Sequence, residues 1–82
     1  MQFNTGSAGF TANVRIYDSE GRLTKHLVQN ELIPIQGTFR WDGLTDEETK
    51  ARIGIYIVFA EFISDSGEVL EVKETFVLAA RL

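Results

Sequence analysis

Apolar and polar positions alternate with a period of two in several separate stretches of the chain. That is the mark of strands with one buried face. From Phe10 to Tyr17, Ala12, Val14 and Ile16 lie on one face, and Asn13, Arg15 and Tyr17 on the other. Asp18-Ser19-Glu20-Gly21 follows. Asp and Ser side chains bond nearby backbone, and Gly21 takes a positive φ without steric cost, so a hairpin turn is predicted. Arg22 to Leu32 forms the returning strand. Leu23 and Leu27 share a face, but Lys25 shares it too. This predicts a bulge or an edge strand, with Lys25 discouraging edge-to-edge pairing. Pro34 lacks a backbone donor and ends the pairing.

Gly37 to Trp41 predicts a short strand with Phe39 and Trp41 on one face, closed by an Asp42-Gly43 turn. Leu44 to Arg52 is a polar excursion, long enough for one helical turn and too short for a stable helix. Gly54 to Ser64 is the longest apolar run, with both faces apolar, which predicts a central strand. Asp65-Ser66-Gly67 is a second hairpin turn, and Glu68 to Ala79 returns from it. Short strands joined by Gly-containing turns define an all-β, immunoglobulin-like antiparallel β-sandwich. The expected core gathers Leu23, Leu27, Phe39, Trp41, Tyr56, Val58 and Phe62. The small polar segment Asn4 to Gly9 predicts a flexible lead-in or linker over residues 1–9, ahead of one domain over 10–82.

Composition narrows the function classes. With 82 residues, the chain holds one domain. It has no cysteine, so neither a disulfide nor a thiolate metal site supports it. Twelve acidic residues oppose eight basic ones, and the basic residues are scattered among acids. A nucleic-acid binder carries a basic stripe, so no nucleic-acid partner is expected. No apolar run approaches the roughly 18 residues of a membrane helix, and no membrane insertion is expected. The start Met1-Gln2-Phe3-Asn4 has neither the basic region nor the apolar stretch of a signal peptide.

Candidate chemistry is sparse. His26 is the single histidine, and no Gly-x-Ser-x-Gly elbow supplies it with a nucleophile. Asp42, Asp46, Glu47 and Glu48 have the oxygens that calcium wants, but not the spacing of an EF-hand; they read as a solvated turn. Glu71 and Glu74 flank Lys73 on one strand and read as a solvated face. The isolated glycines form no phosphate-cradling loop. Trp41 with Phe39 offers either a binding platform or core packing, and burial is favoured. No catalytic activity, cofactor or metal is expected.

Three segments carry a resemblance. Val14-Arg15-Ile16-Tyr17-Asp18-Ser19-Glu20-Gly21-Arg22-Leu23 resembles the first hairpin of the FlgD-type immunoglobulin-like domain. Gly37-Thr38-Phe39-Arg40-Trp41-Asp42-Gly43 resembles that family's Gly-x-Phe-x-Trp-Asp-Gly strand and turn. Ile53-Gly54-Ile55-Tyr56-Ile57-Val58 resembles its Gly-x-Tyr entry into the long strand. Glu48 stands where the family has Gly, and Arg52 where it has Pro. The chain is most similar to the variant at the C-terminus of exported Bacteroidetes proteins, often after a lamin-tail-like domain. The segment Glu74 to Leu82 looks like the end of those proteins.

The resemblance implies a non-catalytic C-terminal accessory or interaction module of an exported or cell-surface protein, placed in the periplasm or outside the cell. Its partner would be a neighbouring domain of the same protein, a cell-envelope protein or a second copy. Two alternatives stand beside it: a type IX-like C-terminal sorting domain, and a carbohydrate-binding or adhesive module using Trp41 and Tyr17. Tyr56 occupies the place of the tyrosine that hydrogen-bonds across a corner in immunoglobulin-like sandwiches. With Gly21, Trp41 and Gly54 it makes the expected structural set. If Tyr56 and Val58 face the core, Ile55, Ile57 and Phe59 face outward as an interaction surface. Alternatively, the segment around Phe3 and Phe10, or the loop near Ile33 and Ile35, folds over that face.

Overall fold

The computed structural model describes residues 1–79. Among them are six strands: β1 (Gln2–Asn4), β2 (Thr11–Asp18), β3 (Leu23–Leu32), β4 (Gln36–Thr38), β5 (Gly54–Ile63) and β6 (Val69–Leu78). β3, β2, β5 and β6 form an antiparallel sheet in that order, and β1 and β4 form a second, two-stranded one. The chain is an all-β antiparallel sandwich with layers of unequal size.

The inner face of the large sheet follows the period-two pattern. Ala12, Val14 and Ile16 from β2 meet Tyr56, Val58, Ala60 and Phe62 from β5, all buried. Phe10, Val28 and Ile33 complete that core. The small sheet lies over one end of it. There Phe3 stacks on Phe39 with ring centroids 4.6 Å apart, and both rings approach Phe62. Phe3 pairs directly with Gly37, and a Cβ on Gly37 would come within 2.8 Å of the Phe3 ring. Glycine is therefore required at that approach. At the other end Trp41 meets Tyr56 edge-on at 5.2 Å and Phe76 at 5.8 Å.

Two expectations are corrected. Residues 1–9 are not wholly a lead-in: Gln2–Asn4 pair with Gln36–Thr38, and Phe3 is packed. One apolar ring on a three-residue strand supplies the driving force, which composition alone does not display. Leu23 is not core. Register shifts in the β2–β3 ladder displace β3, so Lys25 pairs with Ile16 on the inner face and Leu23 with Tyr17 on the outer face. Leu23 is 45% exposed as a result.

The polar excursion is also a hairpin, with no helical turn. Leu44 bridges Lys50, and the turn between them repeats the construction of the other two. In each, the first residue's side-chain oxygen accepts the N–H of the residue four later: Asp18 from Arg22, Thr45 from Thr49, Ser64 from Glu68. The N–H of the fourth position donates to the first residue's carbonyl, from Gly21, Glu48 and Gly67 respectively. That fourth position has a left-handed φ of 80°, 63° and 87°. Glu48 thus holds a place that glycine holds in the other two turns.

Candidate functional site

The outer face of the large sheet has a defined composition because cross-strand partners share a face. Ile57 lies between Tyr17 on β2 and Thr75 on β6, and Tyr17 in turn faces Leu23 on β3. Ile55 faces Val77. These residues, with Ile53 at the entry to β5, make an apolar band at one end. Ile55 is 56% exposed, Ile53 65% and Val77 69%, while Ile57 is half-buried. The next row is basic around one ring: Arg15 and Lys73 flank the half-buried Phe59, and His26 lies beyond Arg15. The following row is acidic, with Glu61 opposite Glu71 and Asn13 on its other side. Thr11, Ile63 and Val69 end the face.

Neither covering segment proposed from sequence reaches this face. Phe3 and Phe10 pack on the inner side, and Ile33 is part of the inner core. Ile35 is exposed beside the small sheet. Among the described residues, the outer face has no second layer. The sequence singled out Ile55, Ile57 and Phe59, and the structure places all three there. It missed Leu23, Val77 and Ile53, which extend the apolar band. Val77 was legible, since it shares the odd-numbered face of β6 with Lys73 and Thr75. Leu23 was not, because a bulge decides its side.

The structural set occupies the opposite side and the turns. Tyr56 is buried, and its hydroxyl donates to the Arg52 carbonyl at 2.7 Å, across the corner into β5. Gly54 opens that strand with φ 157°, and Gly21 closes the first hairpin. The Trp41 indole N–H donates to the Leu44 carbonyl at 2.8 Å, which ties the third hairpin to the aromatic cluster. Trp41 and Tyr17 lie on opposite sides of the sheet, so they form no joint platform.

A cleft of about 800 Å³ remains between the layers, lined by Leu27, Phe39, Trp41 and Phe76. Lys25 and Glu74 stand at its two rims, in one row across the sheet through Ile16 and Val58. Three strand spacings separate them, about 14 Å, too far for concerted acid–base work.

The acidic loop is used in pieces. Asp46 reaches the free edge of β3: its Oδ1 accepts the His26 backbone N–H at 2.9 Å, and its Oδ2 lies 2.7 Å from His26 Nδ1. Its own N–H donates to the Thr24 carbonyl. The His26 backbone bond first, then the ring bond, hold the Asp46 carboxyl below the usual carboxylate range. Asp42 instead accepts the Leu44 N–H within its own turn.

No protein-family model, curated protein or solved structure matches the chain. The class is therefore defined by its geometry: an all-β antiparallel sandwich that presents an uncovered, banded sheet face.

Proposed function

We propose that this chain is a non-catalytic accessory module of an exported or cell-surface protein. It docks a neighbouring domain, or a cell-envelope protein, through the outer face of its large sheet. One observation carries the reading: Ile55, Ile57 and Phe59 lie on a face that no second layer covers among the described residues, while the small sheet packs on the other side. Contiguous exposed apolar surface on a small domain marks an interaction site. The bands give the partner a chemistry. It should offer apolar side chains to the Leu23, Ile57, Ile55 and Val77 band, bordered by carboxylates that meet Arg15 and Lys73. The resemblance to C-terminal FlgD-type immunoglobulin-like domains supports the exported setting and the docking role. The Tyr56 corner bond and the Trp41 placement are consistent with that architecture. Hook-cap assembly is not part of this proposal.

The test is the double variant Ile57→Lys with Phe59→Lys. It should leave the isolated domain folded, with strand circular dichroism intact, and weaken docking to the adjoining domain by at least about tenfold. Unfolding of the double variant would make this face internal core and end the proposal.

A further inference from the structure

The two edges of the large sheet are treated differently. The β3 edge is blunted by three register shifts in its ladder with β2, by Asn30 at φ 48° and by Asp46 seated on Thr24 and His26. β6 pairs with β5 over ten consecutive residues without a bulge, and its other edge has no partner among the described residues. An unpaired row of backbone donors and acceptors is a template for another strand. It also carries an unsettled charge. Glu71 stands directly opposite Glu61, a like-charge cross-strand pair. Among the described residues, neither carboxylate forms an ion pair.

We propose that the β6 edge pairs with the β6 edge of a second copy, antiparallel about a two-fold axis at Val72, to give one continuous eight-stranded sheet. An isologous interface requires self-complementarity, and the sequence of β6 selects the register. Cross-strand partners must share a face, so the axis passes through a residue. At Glu71, Lys73 or Glu74 it would set like charges directly opposite each other. At Val72 it sets Val72 against Val72 on the inner face. On the outer face it sets Glu71 of each copy against Lys73 of the other, twice. Each Glu71 then lies between Glu61 and an incoming ammonium, which relieves the repulsion inside the single chain. The paired segment runs from Val69 to Thr75. The interface uses the strand edge and does not depend on docking by the outer face.

Sedimentation of the chain across concentrations up to about 1 mM, the weak end of specific association, tests this. Wild type should form dimers. Glu71→Lys should weaken dimerisation at least about tenfold, by setting lysines opposite each other. It should not lower the melting temperature of the monomer, because the introduced ammonium would face Glu61 within the chain. Lys73→Glu should weaken dimerisation likewise, and Glu71→Lys with Lys73→Glu should restore it. A strictly monomeric wild type would overturn the proposal. So would a double swap no better than the single variants, or a dimer lost only when Ile57 and Phe59 become lysine.

Discussion

Glu48 sits at φ 63°, in the left-handed region that a Cβ disfavours by about 1–2 kcal/mol. The turn geometry demands that conformation, since Glu48 must direct its N–H to the Thr45 carbonyl. Its counterparts Gly21 and Gly67 adopt it without penalty. Glu48→Gly should therefore stabilise the domain, by about 0.5–1 kcal/mol once the greater freedom of glycine in the unfolded chain is subtracted. A denaturant midpoint that rises without a change in slope would show this; a falling midpoint would mean that the Glu48 side chain makes a compensating contact. The position was partly legible in the sequence. Thr45-Asp46-Glu47-Glu48-Thr49 has the layout of Asp18-Ser19-Glu20-Gly21-Arg22, with an oxygen-bearing first residue and the same spacing. The missing glycine concealed the hairpin, because a charged run reads equally well as a helical turn.

At the scale of elements, strands were legible wherever sequence periodicity and burial agreed. β2 and β5 alternate cleanly, and their faces follow directly. β3 was legible as an irregular edge strand from Lys25, but the sites of its register shifts were not, since those depend on its pairing with β2. Asp46 binding the β3 edge was equally hidden, because it joins residues twenty positions apart. That bond has a pH signature. The Asp46 carboxyl is lowered below its ordinary 3.8 on folding. A depressed carboxylate contributes stability that is complete above its unfolded value and is lost as the pH falls through the lower folded value. Asp18 is shifted the same way, chiefly by the Arg22 backbone N–H, so two turns lose support in the same acid range. Asp46→Asn should cut the fall in stability below about pH 4 and leave the Asp18 share in place. An acid limb as steep as in wild type would mean that the carboxylate contributes nothing to holding the edge. In wild type at neutral pH, hydrogen exchange at the His26 amide should be slow for an edge strand and should quicken in the variant.

The whole molecule is a four-stranded sheet protected on one side by very little chain. Its inner face was readable from alternation, and so was the surplus of apolar residues on the outer face. What covers the inner face was not readable, because β1 and β4 are three residues each and their pairing joins positions more than thirty apart. Phe3 shows why so short a layer suffices: it stacks on Phe39, approaches Phe62 and fills the space over Gly37. Removing Met1 to Asn4 should leave Phe39 and Phe62 facing water and β4 without a partner. The cost should be about 3–5 kcal/mol, the range for deleting a packed aromatic side chain. That is a large share of the stability of a domain this size, about 4–12 kcal/mol. Phe3→Ala alone should reproduce most of the loss, because the ring and not the three-residue ladder supplies the burial. Gln2→Ala, which alters an exposed position on the same strand, should change little. Denaturant melts of the three variants separate these contributions. The truncated chain should also show a smaller slope, since it buries less surface on folding. Equal midpoints for wild type and the truncated chain would return residues 1–4 to the status of a lead-in, and the inner face of the large sheet would then join its outer face as surface open to a partner.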